Sequence, residues 1–239
     1  MKFEEKSSIS DEALKNREKL VEYFEKTPLS KEDLMFNLGM YTRTSVLVKY
    51  LVISELYKRI IDIPGNIYEF GVWWGQNMIL LENMRAIYEP FNKQRRIIGF
   101  DTFNGYNESP DWYSTGVEYK EYLESLLKVH ESNNIIGHVN GNHQLIEGDV
   151  SITVPKYFEE NKNEIVSLAY VDIGTYESTK SILLSIKPHL VKGSVILLDQ
   201  FSWKEMPGEA VAFKEIFNKN EYKIEKCSLY SSKSIVTIL

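Results

Sequence analysis

From Asn66 onward, short apolar segments typical of β-strands alternate with segments of helical periodicity, and this alternation limits the fold more than any other feature. Five predicted strands come in the order NIYEFGV, RRIIGFD, HQLIEGD, EIVSLAYVDI and GSVILLDQF. The fourth is almost continuously apolar, as expected for a parallel strand that helices cover on both faces. Two final strands around residues 230–233 predict a hairpin. We therefore expect an α/β fold with a doubly wound, mostly parallel seven-stranded sheet and an antiparallel C-terminal hairpin.

Helices are predicted between these strands and also before the first of them. Those between the strands span 75–88, 119–132, 155–161, 176–190 and 208–218. Two others precede the sheet, at 11–26, which ends before Pro28, and at 44–61. We interpret residues 1–40 as an N-terminal helical extension that serves as a lid or a dimer contact, and residues 41–239 as the ligand-binding domain.

The composition excludes several classes of protein. Lys and Arg number 28 and Asp and Glu number 34 among 239 residues, which gives a formal net charge of −6. Binding to nucleic acids or anionic membranes needs a basic face, so both are disfavoured. The one cysteine excludes an internal disulfide and a thiolate-only zinc site. We expect a cytoplasmic protein, because the N-terminus lacks the apolar core of a signal peptide and no apolar run is long enough to span a membrane.

Ligands bind a doubly wound sheet beyond the carboxyl ends of its strands, so the residues there are the first candidates for a site. Glu69, Gly71 and Gly75 surround the turn after the first strand, where a glycine lets a ligand approach the backbone and a carboxylate suits an ammonium group. A tight turn with a buried glutamate is the alternative. Asp101 ends the second strand and can accept hydrogen bonds from both hydroxyls of a ribose. Together these residues indicate an adenosyl-ligand site, although the glycines do not follow the G-x-G-x-x-G pattern of dinucleotide sites.

Three further acids end predicted strands. Asp149 can bind an adenine amino group, or it can cap the next helix near Ser151. Asp172 and Asp199 end the two most apolar strands, where a carboxylate costs free energy unless it is paired, hydrogen-bonded or bound to a cation. A divalent cation between them is one interpretation, and a helix cap by Asp172 near Tyr176 is another.

Aromatic residues lie in the loops next to the same strand ends. Trp73 and Trp74 belong to the first turn, and two other groups, 111–113 and 201–203, follow the second and fifth strands. Such rings pack against a sugar or a nucleobase, or they simply cover a loop. Residues 104–117 are interpreted as a mobile lid.

Taken together, these segments resemble class I S-adenosylmethionine-dependent methyltransferases, which have a Rossmann-like fold. More narrowly, the chain resembles the macrocin O-methyltransferase (TylF-type) family, which methylates sugar hydroxyls of natural products. The matching residues are 63–75, 99–105, 148–150, 154–155, Asp172 with 176–179, Asp199 and 207–208. The resemblance extends from about Tyr41 to near the end of the chain. It implies a homodimer that binds S-adenosylmethionine.

The resemblance also assigns residues to parts of the cofactor. It places the methionine end at 69–75, the ribose at Asp101 and the adenine near Asp149, and a stretch before the first strand closes over the cofactor. The expected cofactor-binding residues are Thr42, Thr44, Glu69, Gly71, Gly75, Asp101, Thr102, Asp149 and Asp172.

Two motifs depart from the family pattern. The family has Asp-Gly-Asp after strand four, a metal ligand followed by the general base, whereas this chain has Asp172-Ile173-Gly174 and lacks the base. The family has two metal-binding aspartates after strand five, whereas this chain has Asp199-Gln200. Asp172, Asp199 and Gln200 are the expected Mg²⁺ ligands. The lost carboxylate weakens such a site, because hard cations select oxygen ligands by their charge.

Three explanations of the missing base stay open. The acceptor is an anion or an amine that needs no deprotonation, another residue acts as the base, or the protein binds the cofactor without catalysis. The other candidate bases are His138, His143, Tyr176 and Glu177. Asp172 and His143 are the predicted catalytic residues.

We therefore predict an S-adenosylmethionine-dependent methyltransferase for a small polar acceptor, a hydroxyl of a sugar or sugar nucleotide in glycan or natural-product biosynthesis. The alternatives are a non-catalytic cofactor-binding scaffold and a methyltransferase for an anionic or amine acceptor. Loss of a base lowers the rate more than it changes the type of reaction, because a sulfonium is an activated leaving group and positioning supplies much of the rate. A nucleotide-dependent oxidoreductase is disfavoured, since no residues for nicotinamide chemistry are visible.

Overall fold

The computed structural model describes residues 10–104, 117–133 and 142–239. The chain divides into two compact units, of which the first ends at Lys49 and the second begins at Tyr50. The division into an extension of residues 1–40 and a domain of residues 41–239 stays a prediction. Within the described ranges, we find no helix with both the length and the apolar character that crossing a membrane requires.

The first unit is helical. It contains α1 (Asp11–Glu25), α2 (Lys31–Phe36), a 3-10 turn (Leu38–Tyr41) and the start of α3 (Thr44–Ile60). Ser10 and Ser30 cap α1 and α2 by accepting hydrogen bonds from the backbone N–H groups of Ala13 and Asp33, at 3.2 and 3.1 Å. Helix α2 has no counterpart among the predicted helices, because six residues are too few to show a helical period. The available signal is Ser30 followed by an acid three residues later.

The second unit contains the seven-stranded sheet. Its strands are β1 (Asn66–Phe70), β2 (Ile97–Asp101), β3 (His143–Glu147), β4 (Val166–Val171), β5 (Leu190–Leu198), β6 (Tyr222–Lys226) and β7 (Ser234–Ile238). They lie in the order β3-β2-β1-β4-β5-β7-β6, and β7 runs antiparallel to both of its neighbours. The predicted doubly wound, mostly parallel sheet with an antiparallel C-terminal hairpin is confirmed. The switch in strand order falls between β1 and β4, which is where such folds bind ligands.

In the described ranges, five α-helices connect the strands. Helices α4 to α8 span Gln76–Tyr88, Val117–Asn133, Val150–Glu160, Tyr176–Ile186 and Gly208–Ile216. The prediction that α6 begins at residue 155 is wrong, because Pro155 lies inside the helix rather than at its start. A proline there cannot donate to the carbonyl oxygen of Ser151. The Ser181 hydroxyl donates to that oxygen instead, at 3.2 Å.

Aromatic side chains fill the core on one face of the sheet. Tyr68, Phe70, Phe100, Tyr157 and Phe158 are all buried in one cluster. The rings of Phe70 and Phe100 stack with their centroids 5.3 Å apart. This packing joins β1, β2 and α6, and it fixes where the strands end at the carboxyl edge of the sheet.

A buried guanidinium group joins the elements at the opposite, amino-terminal edge. Nη1 of Arg95 donates to the Gly65 carbonyl oxygen at 2.9 Å and to the Ser167 hydroxyl at 2.7 Å. Nη2 donates to the Ile63 carbonyl oxygen at 2.9 Å, and Nε lies 2.6 Å from Glu89 Oε2. The charge is enclosed by its partners, so removal of the guanidinium leaves a carboxylate buried without compensation.

We expect Arg95→Ala to lower the free energy of unfolding by about 3–5 kcal/mol, because it breaks a buried ion pair. Urea denaturation followed by circular dichroism measures the loss. Lys156→Ala is the control, since the Lys156 side chain is 71% exposed and its ion pair with Glu160 is long, at 4.0 Å. Equal losses in the two variants would show that the Arg95 contacts do not stabilise the fold.

Candidate active site

The carboxylate of Asp101 holds together the turns that follow β1 and β2. Its Oδ2 accepts a hydrogen bond from the Trp73 backbone N–H at 2.7 Å, and its Oδ1 accepts one from the Phe103 N–H at 2.8 Å. Both donors have positive φ, 48° for Trp73 and 55° for Phe103, which is strained for bulky residues. Thr102 lies between Asp101 and Phe103 in the second turn and is half-buried. Each Asp101 oxygen retains a lone pair that can accept a ribose hydroxyl.

Gly71 and Gly75 are required by packing in the turn after β1. Gly71 has a φ of 94°, and a Cβ atom there would lie 2.3 Å from the carbonyl oxygen of Asp172. Gly75 has a φ of 74°, and a Cβ atom there would lie 2.5 Å from the Leu123 side chain. The turn thus lies directly against the end of β4 and against α5. Packing alone accounts for both glycines, so their contact with a cofactor stays a prediction.

Glu69 is buried near the end of β1, with 1% of its surface exposed. Its Oε1 accepts a hydrogen bond from Asn77 Nδ2 at 2.9 Å. Glu69 pairs in register with Tyr170 on β4, so both side chains project from the same face of the sheet. Burial, and then the negative charges of Asp172 and Glu69, raise the pKa of Tyr170. The Tyr170 hydroxyl therefore stays protonated and acts as a hydrogen-bond donor.

The three expected metal ligands form a hydrogen-bonded cluster. Gln200 Nε2 donates to Asp172 Oδ1 at 2.6 Å and lies 3.5 Å from Asp199 Oδ2. Asp199 Oδ1 accepts a hydrogen bond from the Tyr170 hydroxyl at 2.9 Å and forms an ion pair with Lys233 Nζ. The structure thus brings Asp172, Asp199 and Gln200 together, but an amide and an ammonium group already bind their carboxylates.

Lys233 is a member of this cluster that the sequence analysis misses. It immediately precedes β7, and its neighbour Ser234 pairs in register with Leu198, so Lys233 meets Asp199 where β5 and β7 adjoin. Its side chain is only 4% exposed, and Nζ lies 3.1 Å from the Tyr170 hydroxyl oxygen. The sequence does contain one indication of this contact, a lysine at the start of an apolar strand. A buried ammonium group needs an acidic partner, so such a lysine predicts a carboxylate nearby.

These contacts do not fit the predicted Mg²⁺ site. Mg²⁺ requires oxygen ligands in near-octahedral geometry. In the part of the chain that the structure describes, no group of three or more His, Cys, Asp or Glu side chains is arranged to hold a metal ion. The expectation that Asp172, Asp199 and Gln200 bind Mg²⁺ is therefore not supported, because Lys233 supplies the positive charge and the third ligand is an amide.

A methionine fills the position of the missing base. Gly174 has a φ of 73°, and a Cβ atom there would lie 2.4 Å from Met206 Cε. The methyl group of Met206 thus takes the space in which a side chain at position 174 would begin. The second acid of the family motif is replaced by apolar surface.

Glu209 is a buried acid beside the cluster that the sequence analysis does not identify. It lies in the first turn of α8, and its Oε2 accepts a hydrogen bond from the Gln200 backbone N–H at 2.8 Å. Burial, together with the negative charge of Asp172, raises the pKa of Glu209 to about 8, although the Gln200 N–H opposes the shift. Near pH 7 the side chain is therefore mostly protonated and adds little charge to the site.

His143 lies apart from the other candidates. It begins β3 and pairs in register with Ile97, whereas Asp101 is at the far end of β2. Its Nδ1 lies 3.5 Å from Glu131 Oε2, and burial lowers the pKa of His143. The structure does not bring this imidazole to the carboxyl edge, where the acids lie.

Two predicted residues at the carboxyl edge have structural partners. Asp149 caps α6, and its Oδ1 accepts hydrogen bonds from the Ser151 backbone N–H and hydroxyl, at 2.8 and 2.7 Å. Its side chain is exposed, and its contact with an adenine stays a prediction. The Tyr176 hydroxyl donates to Glu215 Oε2 at 2.6 Å, and Glu177 is exposed in the first turn of α7.

The remaining candidates lie in the first unit or outside the described residues. The Thr42 hydroxyl donates to the Leu38 carbonyl oxygen at 3.0 Å, and Thr44 begins α3. Their roles in cofactor binding stay predictions. His138 and the aromatic group 111–113 lie outside the described residues, as does nearly all of the predicted lid.

We expect the stability of the protein to fall as the pH rises from about 4.5 to about 8, because folded Glu209 keeps a proton that the unfolded chain releases. The stabilisation by protonated Glu209 is complete below the pKa that Glu209 has in the unfolded chain, and it is lost as the pH rises through its pKa in the folded protein. Glu209→Gln should remove this part of the pH dependence, which urea denaturation at pH 5 to 8 measures. Glu205→Gln is the control, since Glu205 is exposed in the loop before α8. Identical pH profiles for Glu209→Gln and the wild type would contradict the assignment.

Comparisons with known proteins give a matching family profile and similar solved structures. The profile of the macrocin O-methyltransferase (TylF) family matches residues 52–226. Two solved structures of CalS11, a calicheamicin methyltransferase, are each 32% identical over 96% of this chain, and the alignments cover 93% and 95% of theirs. Their TM-scores are 0.89 and 0.86, and one is described as a TDP-rhamnose 3'-O-methyltransferase.

A more distant structure shares the fold. It is an O-methyltransferase from Bacillus cereus in complex with S-adenosylhomocysteine, and its sequence is 12% identical to this one. The alignment covers 94% of this chain and 90% of that protein, with a TM-score of 0.54. Curated protein sequences give no significant match. Since the family profile covers well over half of the sequence, this chain belongs to the macrocin O-methyltransferase (TylF) family of S-adenosylmethionine-dependent methyltransferases.

Proposed function

We propose that this enzyme transfers the methyl group of S-adenosylmethionine to a hydroxyl of a sugar or sugar nucleotide in glycan or natural-product biosynthesis. The observation that carries the proposal is the set of carboxylates at the switch point, where Glu69 lies near the end of β1, Asp172 directly follows β4 and Asp101 ends β2. The similarity to CalS11, described as a TDP-rhamnose 3'-O-methyltransferase, supports a sugar acceptor.

The charge of the site suits the cofactor. Glu69, Asp172 and Asp199 are carboxylates at one edge of the sheet, and Lys233 offsets one of them. The surplus negative charge favours a ligand with a sulfonium and an ammonium group. S-adenosylmethionine supplies a methyl group that its positively charged sulfur already activates for transfer. We assign the methionine end to Glu69 and the ribose to Asp101, whose oxygens each keep a free lone pair.

Asp172 is the side chain that we assign to the acceptor. It is half-buried, and its Oδ1 is fixed by the Gln200 amide at 2.6 Å. A carboxylate held in this way can accept a hydrogen bond from the acceptor hydroxyl and take up its proton as the new oxygen–methyl bond forms. The exposed rings of Trp73, Trp74 and Trp203 offer apolar faces to a sugar.

A non-catalytic, cofactor-binding role is the second candidate, and the Met206 methyl group beside Gly174 favours it. An anionic or amine acceptor is the third, because it needs no base. Incubation with methyl-labelled S-adenosylmethionine distinguishes the three on a panel of sugar nucleotides, free sugars, carboxylates and amines. We expect label in a sugar nucleotide. Cofactor binding without any labelled product would favour the non-catalytic role.

The proposal also includes a homodimer and a cytoplasmic location. The first unit exposes several apolar side chains, among them Met35, Met40 and Phe36, which is 92% exposed. Such residues suit a contact between subunits. The buried, unpaired Cys227 suits a reducing compartment.

Asp101→Ala should weaken the binding of S-adenosylhomocysteine about 10- to 100-fold in isothermal titration calorimetry, because hydrogen bonds to a charged group contribute about 1.5–3 kcal/mol. Asp101→Asn keeps one acceptor oxygen and should lose less. Asp62→Ala is the control, since Asp62 is exposed before β1. Circular dichroism confirms that each variant is folded. Unchanged affinity in a folded Asp101→Ala variant would remove the ribose assignment.

Asp172→Asn should lower kcat by about 10²- to 10⁴-fold, the usual contribution of a general base, while the affinity for S-adenosylhomocysteine changes far less. The pH dependence of kcat should also lose its acidic limb. Glu177→Gln is the matched control, because Glu177 is an exposed acid a few residues later. A kcat that falls in Glu177→Gln but not in Asp172→Asn would transfer the role of base to Glu177.

A further inference from the structure

We propose that the ammonium group of Lys233 takes the place of a divalent cation in this enzyme, so that methyl transfer proceeds without a metal ion. The catalytic part of this inference rests on the proposed function. The structural part concerns only the cluster of Asp172, Asp199, Gln200 and Lys233.

The position of Lys233 is set by the hairpin. The antiparallel pairing of β7 with β5 joins Ser234 to Leu198, and this register carries the preceding lysine to the aspartate that follows β5. Nζ of Lys233 pairs with Asp199 Oδ1, lies 3.1 Å from the Tyr170 hydroxyl oxygen and lies 4.6 Å from the centroid of the Tyr230 ring. A buried ammonium thus has a carboxylate, a hydroxyl and an aromatic face as partners.

Among the described residues, the hydrogen-bond donors around the two aspartates leave no suitable set of oxygen ligands for a hard cation. Asp199 Oδ1 already accepts hydrogen bonds from Lys233 and Tyr170. Gln200 turns its Nε2, rather than its oxygen, towards both Asp172 and Asp199, at 2.6 and 3.5 Å. A divalent ion here would have to displace the ammonium group and reverse the amide. If the ammonium group stayed in place, its positive charge would repel the ion.

The two replacements are consistent with each other. Exchange of a family aspartate for Gln200 removes one negative charge, and Lys233 brings one positive charge where a metal ion brings two. The cation of lower charge therefore matches the smaller number of carboxylates. Lys233 acts as a positioning residue that neutralises Asp199, so that Asp172 is left as the reactive carboxylate of the pair.

Titration of the full-length wild-type protein with Mn²⁺ tests the inference directly, in the presence of S-adenosylhomocysteine and with electron paramagnetic resonance as the readout. We expect no ion bound at this cluster, no shift of Tm with Mg²⁺, and equal turnover with Mg²⁺ and with a chelator. Stoichiometric Mn²⁺ binding that Asp199→Asn abolishes would overturn the proposal. Turnover that a chelator stops and Mg²⁺ restores would overturn it as well.

Lys233→Ala provides the converse test, with Lys226→Ala, an exposed lysine of the same hairpin, as the matched control. We expect Lys233→Ala to lower Tm by on the order of 10 °C, and we expect Mn²⁺ to recover part of that loss. The wild type and Lys226→Ala should show neither effect. Unchanged Tm and turnover in Lys233→Ala would show that the ammonium group has no such role.

If Lys233→Ala does not fold, Lys233→Met removes the charge but retains most of the stem, and the wild-type titration needs no variant. Failure of the proposed function is recognised separately, as a lack of S-adenosylhomocysteine binding or of turnover on every acceptor. Metal binding is measured without an acceptor, so its result stands alone.

Discussion

Carboxylates at the ends of buried parallel strands are stable only beside hydrogen-bond donors or positive charge, and the site depends on how this chain meets that requirement. Asp101 accepts hydrogen bonds from the backbone of two strained turns, and Asp172 accepts one from an amide. Asp199 is paired with a lysine and a tyrosine. The same contacts join the turns after β1 and β2 and the ends of β4 and β5, so the groups that we assign to ligands also have structural roles.

The fold was predictable because each parallel strand is a separate apolar segment of the sequence, and the segments between the strands have helical periodicity. The apolar stretch of β4 identified the buried centre of the sheet, and the turn residues around 230–233 identified the hairpin. The errors have local causes. Proline is common at the start of a helix, so Pro155 indicates one. Inside α6 it leaves the Ser151 carbonyl oxygen without its helical donor, and the Ser181 hydroxyl donates to that oxygen instead. This contact between distant segments cannot be predicted from the sequence. The six residues of α2 are too short for a period.

The positions of Asp101, Asp172 and Asp199 at the carboxyl edge were predictable, because each of them ends or directly follows an apolar strand. Contacts with partners from distant segments were not predictable. Lys233 reaches Asp199 only through the register of β5 with β7, and no spacing rule encodes that register. Likewise, the sequence does not predict that the Asp101 carboxylate accepts a hydrogen bond from the Trp73 N–H and so stabilises the positive φ of Trp73.

The dependence of Asp199 on Lys233 also orders events during synthesis and folding. The residues are separated by 34 positions, and β7 is the last strand of the sheet to leave the ribosome. Strands β1 to β5 can collapse while the nascent chain is still being extended, but until β7 docks, Asp199 has no ammonium partner and must keep its hydration. Pairing of Asp199 is therefore a long-range step, and until β7 docks, the β5 edge of the sheet lacks its antiparallel neighbour and can pair with other chains.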